Sequence, residues 1–143
     1  MTGNAPSVID RTVHETNEWL NELAEAIGGS KQDGYHALRA GLHALRDRMV
    51  ADEAVHLGQQ LPLLIRGIYF EDWKPSATPH KQRSREAYLD FVRQKLSQDG
   101  SSIEPETALD GVFAVLKMHI DKGELGHVAD QLPKEVTEMM RAA

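Results

Sequence analysis

The chain predicts an all-α fold, a helical bundle made of two tandem repeats. Three observations carry this. Gln60-Leu61-Pro62 recurs as Gln131-Leu132-Pro133. The same shift of 71 residues, the step from Gln60 to Gln131, brings Leu38 onto Leu109, Leu45 onto Leu116, Glu53 onto Glu124 and His56 onto His127. Apolar residues recur at helical spacing throughout, and no stretch shows the two-residue alternation of a half-buried strand. Each repeat reads as two long helices and two short ones around a Leu-Pro break, because proline removes a donor and clashes with the preceding turn. The expected division is a flexible tail over 1–6, a first repeat over 7–69, a connector over 70–82 and a second repeat over 83–143, in one compact domain.

Ser7-Val8-Ile9-Asp10 reads as a capping box that opens the first helix, whose apolar stripe is Ile9, Val13, Thr16, Leu20, Leu23 and Ile27, with Trp19 beside it. Gly28-Gly29 ends it. Ser30 to Asp33 repeats the capping pattern, and Tyr35, Leu38, Leu42, Leu45 and Met49 follow as the seam of a central helix. Asp52 caps a short helix carrying Ala54, Leu57 and Leu61. After Pro62 a second short helix turns Leu64, Ile65 and Ile68 inward. The segment from Phe70 to Gln82, with two prolines, has no periodicity and is a connector.

Ser84 opens the next helix, whose Tyr88, Val92 and Leu96 match Trp19, Leu23 and Ile27 at a shift of 69 residues. Ser101 to Glu104 is read as its successor's cap, with Pro105 in the first turn and Leu109, Val112, Phe113, Leu116 and Ile120 as the second seam. Leu125, Val128 and Leu132 belong to the following short helix, and Val136, Met139 and Met140 to the last.

Composition narrows the function. With 143 residues the chain can bury a core without staples, and the absence of cysteine excludes disulfides, thiolate ligands and a cysteine nucleophile. A formal net charge of −6 makes a nucleic-acid surface unfavoured, since such surfaces neutralise phosphates. No leader-like or membrane-spanning apolar run is present, so a cytoplasmic protein is expected.

Four sets of residues are candidate sites. Arg66, Tyr69, Phe70 and Trp73 gather three of the eight aromatic residues at the connector, and form a core filling or an anchor for a partner. Glu53, His56, Glu124 and His127 make two Glu-x-x-His pairs, the pattern that holds two metal ions in ferritin-like bundles. Those bundles use long helices and further carboxylates, so the sequence favours no metal and no cofactor. Lys74, His80, Lys81, Arg83 and Arg85 beside Trp73 form a basic run that a solvated linker explains equally well. His36 and His43, seven residues apart, are two turns distant and are read as solvent-exposed.

Thr16-Asn17-Glu18-Trp19-Leu20, Ala44 to Arg48, Gln60-Leu61-Pro62, Arg66 to Trp73, Gly123-Glu124 and Gln131-Leu132-Pro133 together resemble a bacterial and archaeal family, domain of unknown function 2267. The resemblance covers nearly the whole chain and implies a small helical protein, with no catalytic or binding residue to carry over. The functional expectation is a protein-interaction or regulatory module without catalysis, acting through a protein partner or self-association. The alternative is a metal-binding protein or metal-dependent enzyme using the Glu-x-x-His pairs.

Overall fold

The computed structural model describes residues 6–81 and 84–143. Within them run α1 (Ser7–Ile27), α2 (Lys31–Asp47), α3 (Ala51–Gln59), α4 (Leu63–Phe70), α5 (Arg85–Gln98), α6 (Pro105–His119), α7 (Lys122–Gln131) and α8 (Lys134–Ala142), with a 3-10 turn at Pro75–Ala77. No strand occurs among the described residues, and none of these helices is long and apolar enough to cross a membrane. Residues 1–5 of the expected tail, with Gln82 and Arg83 where connector and second repeat were to meet, lie outside the described residues.

Local chemistry sets most helix ends. Ser30 Oγ accepts from the Asp33 N–H at 3.0 Å while Asp33 Oδ2 accepts from the Ser30 N–H at 2.9 Å, the reciprocal capping box. Ser84 Oγ accepts from the Ala87 N–H at 3.0 Å and opens α5. At the end of α1, Gly28 takes a φ of 70°, a left-handed turn that a β-carbon would strain, and lets the Gly29 N–H reach the Ala24 carbonyl at 3.0 Å.

Three expected caps differ. Pro6 starts α1, its carbonyl taking the Ile9 N–H at 2.9 Å, so Ser7 already lies inside the helix and caps nothing. Glu104 precedes α6, with Pro105 first in the helix as expected, while Ser101 Oγ instead takes the Ile103 N–H at 3.3 Å. Val50 stands where Asp52 was expected, and Asp52 falls in the first turn of α3.

α2 occupies the centre, packed by α1, α4, α5 and α6. Being covered on so many sides, it is apolar or small almost all round: Ala37, Leu38, Ala40, Leu42, Ala44 and Leu45 are fully buried. At Gly41 a β-carbon would stand 2.9 Å from Val112, so the glycine sets the close approach of α2 to α6.

Of the expected stripe on α1, Thr16 and Leu23 are buried and Leu20 and Ile27 half-buried against the core, while its first members Ile9 and Val13 are exposed and Thr12 is buried with Trp19 instead. The threonines are tolerated inside because their hydroxyls are satisfied: Thr16 Oγ1 donates to the Thr12 carbonyl at 2.7 Å, and Thr12 Oγ1 accepts from the Leu64 N–H at 2.9 Å. That second bond turns Leu64 outward, so α4 buries Ile65 and Tyr69 and leaves Ile68 half-buried.

Candidate metal centre

Asp121 Oδ2 caps α7 by accepting from the N–H groups of Gly123 at 3.0 Å and Glu124 at 3.4 Å, which places Glu124 in a first helical turn, where its charge favours the dipole. α7 packs against α3. The two run antiparallel: the Val50 N–H, at the start of α3, reaches Gln131 Oε1 at the end of α7 at 3.3 Å, while His56, further along α3, meets Glu124 at the start of α7. This brings together four side chains that are 71 residues apart in pairs: Glu53 with His56 on one helix, Glu124 with His127 on the other.

Their geometry is that of a donor cluster. Glu53, Glu124 and His127 each turn one ligand atom to the same point, all within 4.8 Å of one another. His56 Nδ1 lies 2.5 Å from Glu124 Oε2. Glu124 is 5% exposed, Glu53 half-buried, and the two histidines open to solvent. One oxygen of each carboxylate, Glu53 Oε1 and Glu124 Oε1, is buried without a hydrogen-bond partner.

Two ionised carboxylates cannot bond to each other; they need a shared proton or a cation between them. Accordingly the Glu124 carboxyl is pushed above its ordinary value, first by burial, then by hydrogen bonding and charge from Glu53, with His56 and His127 opposing.

Two carboxylates and an imidazole suit a divalent ion of the zinc, manganese, iron(II) or cobalt class, and lack the thiolates that softer ions select. Metal–donor distances of about 2.1 Å set tetrahedral donors about 3.4 Å apart, so these atoms need to close by roughly an ångström, a movement within side-chain rotation at a half-open site. His56, 2.5 Å from Glu124 Oε2, is placed to orient that carboxylate from outside the ligand set.

The residues expected at the connector are used differently. The Arg66 guanidinium donates to the carbonyls of Gly58, near the end of α3, at 3.0 Å and of Leu61, in the turn that follows, at 3.1 Å, and so ties that turn to α4. Arg39 holds the connector instead, 3.2 Å from Glu71, 3.6 Å from Asp72 and 3.3 Å from Asp99. Tyr69 is fully buried, its hydroxyl donating to the Ala54 carbonyl at 2.7 Å, and burial raises its pKa. Phe70 and Trp73 are half-buried, their rings 5.4 Å apart, and the indole N–H has no partner. In the basic run, Arg85 pairs with Glu106 at 3.2 Å and His80 sits against Arg48 at 3.0 Å.

His43, read as exposed, is fully buried. Its Nε2 donates to the Ile68 carbonyl at 2.8 Å, and burial lowers its pKa to about 4, so it stays neutral. Three residues on, Arg46 Nη1 donates to the carbonyls of Tyr69 and Glu71, each at 2.7 Å, and Nε to Asp47 at 2.8 Å. Sequence reasoning missed this network. Its signal was the crowding of His43, Arg46, Asp47 and Arg48 onto the end of a helix otherwise built from alanine, glycine and leucine.

Fold and site together define an all-helical protein with a carboxylate–imidazole cluster at a helix–helix seam. The chain belongs to the family described as Uncharacterized conserved protein (DUF2267), whose model matches residues 16–139. No curated protein matches it.

Proposed function

We propose that the chain is a metal-binding helical protein that holds a divalent transition-metal ion between α3 and α7, with Glu53, Glu124 and His127 as ligands and His56 orienting Glu124. The observation that supports this best is the almost fully buried Glu124 facing Glu53, each with an orphaned oxygen. A cation there would answer the repulsion and the two unmet acceptors together. Short helices weigh against metal in the sequence; antiparallel packing of α3 on α7 sets Glu53 of one helix beside Glu124 of the other. The reading fits two tandem repeats, with one Glu-x-x-His from each and the metal at their junction, and a cytosolic setting without cysteine.

The test is titration of metal-stripped protein with Co²⁺, followed by its visible absorption, and with Zn²⁺ by calorimetry. One ion per chain is expected, with affinity falling at least ~10-fold in Glu124→Gln and in His127→Ala. Absence of saturable binding, or binding untouched in both variants, would overturn the reading.

A second reading keeps the interaction module. Val8, Ile9 and Val13 on the first turns of α1 and Leu63 and Leu64 at the start of α4 are exposed, and the Thr12–Leu64 bond makes them neighbours. Arg11 and Glu15 run along the edge with both signs of charge, which suits an isologous contact with a second copy of the chain. Sedimentation of the wild type against Leu63→Glu decides it: a dimer dissociated by the variant supports this reading, and a monomeric wild type removes it.

A further inference from the structure

α7 has a second working edge. Glu124 and His127 face α3, whereas Leu125 and Ala129 face the other way, toward α6 and α8, and with Ile120 and Met140 they floor a groove of about 480 Å³. Its volume and its apolar floor with a few charged groups at the mouth are those of a small-molecule pocket. The floor residues are each only 4–8% exposed, so the groove offers a thin apolar strip and not a broad face. A docking helix about 10 Å across needs a broad face, whereas an extended alkyl chain needs only a strip.

The mouth is cationic in a protein whose net charge is −6: Lys117, Lys122 and Arg141 stand around it. Lys117 Nζ is engaged with the carbonyl oxygens of Arg141 at 2.9 Å and Ala143 at 2.6 Å, at the end of α8. Lys122 and Arg141 pair with no carboxylate among the described residues, and their charges face an apolar floor that gives them no counter-ion. Gly126 lies on the same edge of α7, and a β-carbon built there meets nothing within 4 Å.

We propose that this groove binds a monomeric amphiphile with an apolar chain and an anionic head, of the fatty-acid class. The chain lies along Leu125, Ala129 and Met140, and the carboxylate meets Lys122 and Arg141, the guanidinium offering the paired donors that carboxylates favour. The site is independent of any metal at the α3–α7 seam and stands or falls separately.

The experiment is calorimetric titration of the full chain with decanoate below its micelle concentration, with decylamine as the head-group control. Saturable one-to-one binding of decanoate is expected, with decylamine at least ~10-fold weaker, as follows when the head group meets cations rather than carboxylates. Gly126→Leu covers the groove while raising helix propensity, so its melting temperature should not fall and decanoate binding should drop ~10-fold or more. Lys122→Glu with Arg141→Glu should weaken decanoate alike and leave its preference over decylamine lost. Equal binding of the two probes, or decanoate affinity unchanged in Gly126→Leu, would overturn the proposal. So would binding confined to phosphatidylglycerol vesicles with none to free decanoate, which would make the cationic rim a lipid-surface contact.

Discussion

Arg46→Ala tests the polar end of α2, because Arg46 ties three things to one side chain. The guanidinium is 2% exposed and donates to the Tyr69 and Glu71 carbonyls, each at 2.7 Å, and to Asp47 at 2.8 Å. α4 ends at Phe70, so those carbonyls belong to a helix terminus with no partner of its own. Truncation leaves them unmet and leaves Asp47, itself nearly buried, without its counter-charge. Breaking a buried pair from one side costs ~3–5 kcal/mol, and the two carbonyls place the expected value toward the upper end of that range. At ~2–4 °C per kcal/mol for a chain of about this size, the melting temperature should fall by about 10 °C or more. Urea unfolding followed by circular dichroism gives the free energy, and thermal melting gives the midpoint. Arg46→Lys should recover only part of the loss, since an ammonium lacks the planar fork that reaches both carbonyls. A loss below about 1 kcal/mol in Arg46→Ala would show that water replaces the guanidinium and that this end of the bundle is not sealed.

Two further outcomes are expected. Glu124, whose carboxyl is raised by burial and by Glu53, stabilises the metal-free fold fully below its ordinary value of 4.5, and that contribution is lost as pH rises through the higher folded value. Glu124→Gln, which keeps the shape without the charge, should therefore match the wild type near pH 4 and melt above it at neutral pH in the presence of a chelator; a difference that does not change with pH would mean that neither burial nor Glu53 raises this carboxyl. Trp73→Ala should cost about half of the ~3–5 kcal/mol of a fully buried large aromatic, because the indole is half-covered and its N–H is unmet; urea unfolding reads this, and an unchanged free energy would show that the ring on Phe70 contributes no packing.

What the sequence made legible was local. The Ser30–Asp33 box, the Gly28 stop, Pro105 in a first turn and the seams through Leu45 and Leu116 follow from propensities acting over a few residues, and they recur in the structure. What failed needed a neighbour. Thr12, outside the expected stripe of α1, is buried because its hydroxyl takes the Leu64 N–H of α4, and Leu64, expected inside, is exposed. His43 shares a face with His36, and a helix with one wet side would leave both in water. The run Ala37, Ala40, Gly41, Ala44 was the sign that α2 has hardly any wet side, since small residues all round a helix mean neighbours all round.

The donor cluster falls between these cases. Glu-x-x-His at 53–56 and 124–127 was visible as a pattern, but a pattern on a two- or three-turn helix offers two ligands at most. Only the antiparallel seating of α7 on α3, fixed at one end by Gln131 on Val50 and at the other by His56 on Glu124, turns two incomplete pairs into one set of converging donors. The same seating buries Glu124 beside Glu53, and burial together with that like charge raises its carboxyl. Other buried positions of the same helix, Leu125 and Val128, are apolar. At 124 a buried carboxylate is set against both His56 and Glu53, and titration of metal-stripped protein with Co²⁺ separates a ligand for metal from a carboxylate held only by its ion pair with His56.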